Sequence, residues 1–285
     1  MFRSVKEAKL KAETTVTFYG VRGSTPCHCV TMARYGGNTS CVVIESDGMA
    51  PIVLDAGTGL RFYGLDYGDQ PFDGTLLLTH LHWDHVQGLP FFSPFLAPDS
   101  STTILGPPES EMDFATAISG FLRPPYFPVR VEDLPSSLVF RDFSNETLEV
   151  GGAQITAAPV PHTGATNGYR VDIGDVSIAY IPDHQQPDDG TAIADSVLEL
   201  VDGVDLLIHD AQFTDDLLEK RSDWGHCTPA YALHVAETAK ADTLALFHHD
   251  PLHSDEMLDD LRDQTALASS TTRVVAAAEG LKISL

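Results

Sequence analysis

The sequence predicts an α/β protein in which two sheets are covered by outer helices within one layered unit. Short β-branched runs that end in Gly, Asp or His punctuate the first half of the 285-residue chain, as expected of strands that end in turns or at a site. Later in the chain, strand-like runs alternate with helical patterns. A sheet built from such alternating segments carries its helices on the outside, which predicts this layered arrangement.

The individual elements follow from the local patterns. The helical patterns are Ala192–Val201 and Pro229–Ala239, and Pro229 suits the first turn of a helix. The strands predicted in the first half of the chain are Thr15–Tyr19, Ser40–Glu45, Ile52–Asp55 and Thr75–Thr79. Those predicted later are Gln154–Pro159, Gly168–Ile173, Val176–Ile181, Val204–His209, Thr243–Phe247 and Arg273–Ala276.

Residues 91–131 stand apart from these elements. The segment is rich in Pro, Phe and Ser, with FFSPFLAP at one end and FLRPPYFPV at the other. Long loops of this kind are often lids or binding walls, so we expect an excursion over the site rather than core sheet. The alternative is a helical insert that only packs on the fold. We therefore expect a single domain over residues 1–285, with a lid insertion at about 91–131.

The charge balance limits the partners. With 17 basic and 41 acidic residues, the formal net charge is −24, which disfavours a broad surface for long nucleic acid but allows a small anionic substrate. The chain has no apolar run of the roughly 18 residues that span a bilayer, and its start lacks the apolar stretch of a secretory signal. These features predict a cytoplasmic protein with no membrane contact. A second copy of the chain is the other partner considered.

The cysteines are too few and too scattered for a disulfide scaffold. Cys27 and Cys29 flank His28 in a C-H-C triplet. Such thiolates can ligate zinc, but two of them do not complete a site. Either they are thiols of a loop or they bind metal or have redox chemistry.

The segment Thr79–His85, THLHWDH, carries the strongest chemical signal. His80 and His82 lie two residues apart, which lets both imidazoles face one ion, and Asp84 and His85 can serve a second ion. Zinc accepts N and O ligands of this kind, and a hydrolytic site keeps a position open for water. We therefore expect two divalent metal ions, with zinc as first choice and manganese or iron as alternatives.

This H-x-H-x-D-H segment resembles the signature of the metallo-β-lactamase superfamily. Further ligands occur in that family's order in PHTG, IPDH and LFHHDP, and the resemblance covers roughly residues 15–253. It implies a four-layer αββα sandwich of two mixed sheets with outer helices. The histidine after His248 competes with it, but His248 comes first after the strand. The implied ligands are His80, His82 and His162 for one metal, Asp84, His85 and His248 for the other, and Asp183 as the bridge.

Two more segments are similar to the ribonuclease Z and phosphodiesterase side of this superfamily. They are LLIHDAQF, with His209 and Asp210, and GHCTPAYA, with His226; Asp210 and Cys227 replace the Glu and Ser of that branch. The resemblance places His226 beside the scissile phosphate, where it could donate a hydrogen bond or protonate the leaving alkoxide. The alternative is that His226 only orients a ligand. His184 and His209 are expected to support the ligand residues without binding metal themselves.

The N-terminal segments GVRGSTP, RYGGNTS and LDAGTGL resemble those of bacterial proteins similar to phosphoribosyl 1,2-cyclic phosphate phosphodiesterase. Arg22 is placed to meet an anion, and Asn38 is a further candidate for substrate contact. Asp55 is expected to organise the His80–His85 loop rather than to bind metal. Tyr126, with other aromatic residues of the insertion, is a candidate to pack on a base or ribose.

Together these features predict a metal-dependent hydrolase, most directly a phosphodiesterase that acts on a small cyclic phosphodiester or nucleotide through a metal-bridging hydroxide. Asp84 would orient the nucleophile or relay its proton. The alternatives are a tRNA 3′-end endonuclease, a thioester or acyl hydrolase and an iron-loaded redox protein of the same fold. A metal-dependent nucleotide sensor without turnover is the alternative that is not an enzyme.

Overall fold

The computed structural model describes residues 13–285, so the expectation about the start of the chain falls largely outside the described residues. The helices are α1 (Leu60–Tyr67), α2 (Trp83–Val86), α3 (Phe114–Phe121), α4 (Asp195–Val201), α5 (Asp215–Leu218), α6 (Pro229–Thr238) and α7 (Asp255–Ala268), with short 3₁₀ turns at Val30–Met32, Leu89–Phe91, Ser93–Leu96 and Val131–Asp133. The strands are β1 (Thr14–Gly20), β2 (Cys41–Ser46), β3 (Ile52–Leu54), β4 (Asp73–Leu77), β5 (Ser101–Gly106), β6 (Ser137–Asp142), β7 (Glu146–Val150), β8 (Ala153–Pro159), β9 (Asn167–Ile173), β10 (Val176–Ile181), β11 (Leu206–Asp210), β12 (Thr243–Phe247), β13 (Arg273–Ala276) and β14 (Lys282–Ser284).

The strands form two mixed sheets of seven strands each. The order is β14-β1-β2-β3-β4-β5-β6 in the first sheet and β13-β12-β11-β10-β9-β8-β7 in the second. Strands β3 to β6 are parallel, as are β10 to β13, whereas the other pairings are antiparallel. Each sheet therefore joins an antiparallel part to a parallel part.

The apolar residues separate into layers. Between the sheets, Phe18 and Ile44 of the first pack in one cluster with Tyr169 and Ile178 of the second. Helices α4 and α6 cover the outer face of the second sheet, while α1 and α3 cover that of the first. Burying a Leu, Ile or Phe side chain contributes about 1.5–3 kcal/mol, so this layering provides the main stabilisation. The predicted four-layer αββα sandwich is confirmed.

The predicted strands are present, three of them with the predicted bounds and the others within two residues of them. The sequence patterns missed β5, β6, β7 and β14. The segment 91–131 needs a correction, because β5 lies inside it and pairs with both β4 and β6 in the sheet. Its run STTILG is β-branched, but Pro-rich flanks conceal that signal. Only the flanks of β5 lie outside the sheet.

Several strands end at one edge of the sandwich. Strands β10, β11 and β12 are parallel, and β8 runs with them because β9 lies antiparallel between β8 and β10. Loops that follow these strands, together with the loop after β4, carry the candidate site residues. No helix within residues 13–285 combines the length and apolarity needed to cross a bilayer.

Candidate metal centre

His80, His82 and His162 form the first ligand cluster. Their ligand atoms lie within 4.8 Å of one another, and Nε2 of His162 lies 3.3 Å from Nδ1 of His82. The Nδ1 atom of His162 donates to the carbonyl of Gly225 at 2.8 Å, which directs its Nε2 toward the cluster. Three imidazoles that converge in this way offer nitrogen ligands to one cation.

Asp84, His85 and His248 form the second cluster. The Oδ2 atom of Asp84 lies 3.3 Å from Nε2 of His85 and 3.1 Å from Nε2 of His248. The two histidine Nε2 atoms are 3.3 Å apart. On the far side of each ring, Nδ1 of His85 donates to Asp55 at 2.7 Å and Nδ1 of His248 to Gln212 at 2.9 Å. Both Nε2 atoms therefore point into the same space, where Oδ2 of Asp84 also lies.

Asp183 lies between the two clusters. Its Oδ2 is 3.0 Å from Nε2 of His85, while its Oδ1 is 3.5 Å from Nε2 of His248 and 3.9 Å from Nε2 of His162. The carboxylate thus reaches members of both clusters at once. That is the position expected of a bridging ligand.

The chemistry of these donors fits divalent cations. Among the described residues, Nε2 of His80 is buried without a hydrogen-bond partner, and an unpaired buried nitrogen is costly. The Nε2 atoms of His85 and His248 lie 3.3 Å apart, with Oδ2 of Asp84 beside both of them. A cation held by each cluster would satisfy these atoms, since neutral imidazole and carboxylate oxygen are ligands that zinc accepts. The donor set therefore fits the expected metals.

The pKa values follow from burial and local charge. Burial lowers the pKa of His80 well below its ordinary value, and burial also lowers those of His82 and His162, which keeps the first cluster neutral and able to ligate. Burial acts against charge on His85 as well, but the carboxylates of Asp84, Asp183 and Asp55 raise its pKa well above the ordinary value. The three carboxylates therefore stabilise positive charge at the second cluster.

Asp55 contacts the loop that carries the ligands. Its carboxylate accepts hydrogen bonds from the backbone N of Thr79 at 2.8 Å, from His85 and from the hydroxyl of Tyr180 at 2.9 Å. The residue adopts φ 59°, and His248 adopts φ 57°. Non-glycine residues adopt this region at an energetic cost, which often marks functional sites. The carboxylate of Asp55 therefore contacts both ends of the Thr79–His85 segment, and its organising role stays a prediction.

Two glycines allow backbone to lie against ligand histidines. A Cβ on Gly225, which has φ 91°, would lie 2.2 Å from Nδ1 of His162. A Cβ on Gly23 would lie 2.4 Å from Nδ1 of His248. Side chains at these positions would displace the two imidazoles.

His226 packs against both clusters. Its ring lies 5.0 Å from that of His248 and 5.5 Å from that of His162, measured between centroids. The Nδ1 atom donates to Oδ2 of Asp210 at 3.0 Å. Burial opposes charge on this imidazole, but Asp210 outweighs it and raises the pKa of His226. Ligand atoms of Asp183, His226 and His248 also lie within 4.8 Å of one another, so His226 is close enough to act with the metal ligands.

His184 and His209 both hydrogen-bond to Asp210 and belong to neither ligand cluster. The backbone N of His184 donates to Oδ2 of Asp210 at 3.0 Å, and Nδ1 of His209 donates to the Asp210 carbonyl at 2.8 Å. The two rings contact each other at 3.0 Å between Nδ1 of His184 and Nε2 of His209. Both side chains are buried, and their supporting role stays a prediction.

Arg22 and Asn38 are placed differently from the prediction. Arg22 is fully buried, and it donates from Nε to the carbonyl of Gly36 at 2.8 Å and from Nη1 to that of His253, also at 2.8 Å. Asn38 donates from Nδ2 to Glu279 at 3.0 Å. The structure therefore brings neither side chain to the metal clusters. The Arg22 guanidinium ties loops together because three backbone carbonyls, including that of Asp250, converge on it.

Tyr126 lies on the surface beside the loop that carries the candidate ligands, with a relative exposure of 78%. It borders an apolar cavity together with Leu81 and Trp83. Sequence reasoning missed Gln212 and Tyr180, which orient His248 and Asp55. Gln212 lies inside the quoted LLIHDAQF segment, but Tyr180 is an ordinary strand residue without a local signal.

Comparison with known proteins shows the family and the fold of this chain. Residues 52–249 match the model of the Beta-lactamase superfamily domain. Ribonuclease Z of Haloarcula marismortui is 27% identical over 87% of this chain and 91% of its own length. The metallo-β-lactamase fold protein YhfI from Bacillus subtilis has a TM-score of 0.73 at 20% identity, covering 96% of this chain and 100% of its own. A diphosphatase from the PhnP family has a TM-score of 0.70 at 20% identity, covering 95% and 97%.

Proposed function

The chain belongs to the β-lactamase superfamily as a metal-dependent hydrolase, and we propose that it hydrolyses a small phosphodiester, either cyclic or a nucleotide. The observation that carries this proposal is the placement of His226, which packs on His162 and His248 and is oriented by Asp210. A phosphodiester needs a donor for its phosphoryl oxygens and an acid for its alkoxide leaving group. An imidazole at this position suits both tasks.

We assign one metal to the cluster of His80, His82 and His162. The second belongs to Asp84, His85 and His248, with Asp183 shared by both. Zinc is our first choice because nitrogen ligands dominate the set, while manganese and iron also accept imidazole and carboxylate. When bound, two such ions lower the pKa of water and draw negative charge from a phosphoryl group.

Asp84 and His226 take the proton-handling roles in this proposal. The backbone N of Ser24 donates to Oδ2 of Asp84 at 2.6 Å, and burial of this carboxyl is outweighed by His85 and His248, which hold its pKa well below the ordinary value. Asp84 is therefore an ionised acceptor that can orient a nucleophile. Since His226 uses Nδ1 for Asp210, its Nε2 is the nitrogen for the substrate.

A tRNA 3′-end endonuclease is the second candidate, favoured by the similarity to ribonuclease Z of Haloarcula marismortui. The net charge of −24 acts against it, because neutralisation of phosphates by Lys and Arg supplies most of the affinity for long nucleic acid. A precursor tRNA with a 3′ trailer separates the two candidates. Cleavage of that RNA much faster than of small diesters would favour the endonuclease.

The proposal is tested with three substrates offered to metal-stripped protein after zinc or manganese is restored. They are bis(p-nitrophenyl) phosphate, p-nitrophenyl acetate and a thioester. We expect metal-dependent release from the phosphodiester alone. Activity only on the acetate or the thioester would place the enzyme with the acyl hydrolases and remove the role of His226. Nucleotide binding without turnover of any substrate would favour the sensor.

A further inference from the structure

An apolar cavity of about 600 Å³ opens between the metal loop and the segment 91–131. Both flanks of β5 line this cavity. Phe91 precedes the strand in the chain, while α3 and the residues that come after this helix follow the strand. In size it falls within the range of small-molecule sites, roughly 300–1,000 Å³. The residues that define this cavity here are Leu81, Trp83, Phe91, Phe121, Tyr126 and Phe127.

The cavity adjoins the loop that carries candidate metal ligands, because Leu81 and Trp83 of that loop line it. Leu81 lies between His80 and His82, and Trp83 lies between His82 and Asp84. Alternate residues of one short loop thus face the metal clusters and the cavity. A substrate whose phosphate lies on the clusters would have its neighbouring group beside this wall.

The side chains that line the cavity determine which chemical group it can bind. Every described side chain that lines the cavity is uncharged, in a chain with a net charge of −24. Three of its five aromatic residues are also strongly exposed, with relative exposures of 73% for Trp83, 78% for Tyr126 and 57% for Phe91. Contiguous exposed apolar surface of this kind marks a binding site. An uncharged, flat group gains most from such a surface, because aromatic faces stack.

We propose that this cavity binds the planar, uncharged part of the substrate, of the nucleobase class, while the phosphodiester lies at the metal centre. This inference rests on the proposed function and narrows its substrate class to diesters that carry such a ring. Stacking of a base on an aromatic side chain is worth roughly 1–3 kcal/mol, or about 5- to 150-fold in affinity. The ring therefore supplies much of the binding, and the metals supply the reacting geometry.

The test measures dissociation constants by titration calorimetry with the zinc-loaded protein. Adenosine 5′-monophosphate and ribose 5-phosphate serve as probes, since both carry ribose and phosphate but only one carries a base. In the unmodified protein we expect the nucleotide to bind at least about tenfold more tightly. In Tyr126→Ala and in Phe91→Ala this ratio should fall to about threefold or less. The exposed Leu267 on α7 provides the matched control, and Leu267→Ala should keep the full ratio.

Three results would overturn the inference. Equal affinity of the two probes for the unmodified protein would show that no site for the ring exists. A ratio that survives both substitutions would place the base elsewhere. A dimer that dissociates on Tyr126→Ala, seen by light scattering, would assign the cavity to a second copy of the chain. Nucleotide preference without hydrolysis of bis(p-nitrophenyl) phosphate would count against the proposed function and leave this inference standing.

Discussion

The Oδ2 atom of Asp210 accepts a hydrogen bond from Nδ1 of His226 at 3.0 Å. Two backbone groups hold the carboxylate in place, since the N of His184 donates to it at 3.0 Å and the N of Gln212 at 2.9 Å. Asp210 is thereby fixed and sets both the tautomer and the orientation of His226. This hydrogen bond connects the segments LLIHDAQF and GHCTPAYA, although Asp210 and His226 lie 16 positions apart in the sequence.

His226→Ala should reduce kcat for bis(p-nitrophenyl) phosphate by about 10²- to 10³-fold while both metals stay bound, because the ligand clusters keep their own residues. Asp210→Asn should cost about 10- to 100-fold by releasing the imidazole. Steady-state kinetics and metal analysis measure both effects. His234→Ala on α6 is the control, since His234 contacts only the backbone of Thr191 among the hydrogen bonds of the described residues. Loss of a metal from His226→Ala would make this residue a ligand instead.

Asp183→Ala should abolish activity and release at least one metal equivalent. The reason is geometric, because this carboxylate lies 3.0 Å from Nε2 of His85 in one cluster and 3.9 Å from Nε2 of His162 in the other. Metal content after dialysis, measured by atomic spectroscopy, checks the prediction. Asp188→Ala, an exposed neighbour in the same loop, should retain both metals. Two tightly held metals in Asp183→Ala would refute the bridging assignment.

Arg22→Met should lower the free energy of unfolding by about 2–4 kcal/mol, because three backbone carbonyls lose their charged donor. Denaturant unfolding of the metal-loaded protein measures the change. The KM for a phosphodiester should rise only slightly, because Arg22 donates to backbone carbonyls and does not reach the metal clusters. A folded variant of ordinary stability with a greatly raised KM would restore Arg22 as a residue that binds the substrate.

The thiols of the C-H-C triplet should titrate differently. Hydrogen bonds from the side chain and backbone of Thr31 lower the pKa of Cys29, whereas burial raises the pKa of Cys27. A lowered pKa means that thiolate persists to lower pH. Iodoacetamide should therefore modify Cys29 at lower pH than Cys27, as followed by mass spectrometry. Thr31→Val should shift the Cys29 profile to higher pH. Protection of both thiols by zinc alone would show that they bind metal.

The candidate ligands are predictable from the spacing within THLHWDH and from the resemblance to the metallo-β-lactamase superfamily. The predicted strands that precede Asp183 and His248 are both present, and they lie in the same sheet. The same holds for the layered fold, whose strands β10, β12 and β13 have their predicted bounds. Local sequence patterns are sufficient to predict a structural feature when the residues that determine it lie within one strand or helix.

Other features depend on contacts between distant segments. Arg22 looked suited to an anion, but its partners include carbonyls of Asp250 and His253, more than 200 residues away in the chain. Tyr180 supports Asp55 across the two sheets, and nothing in its strand distinguishes it from a core residue. Strand β5 was hidden by its Pro-rich flanks. The positions of these residues depend on tertiary contacts, and the neighbouring sequence contains no pattern that predicts those contacts.

Hydrolysis of bis(p-nitrophenyl) phosphate, measured as zinc is added stepwise to metal-stripped protein, tests the central claim most directly. Two ligand clusters that share Asp183 predict a rate that rises until two equivalents are bound and then levels off. The same titration with Asp188→Ala should follow the same curve. A full rate without metal, a plateau at one equivalent, or no hydrolysis of the diester at any zinc content would contradict a two-metal phosphodiesterase.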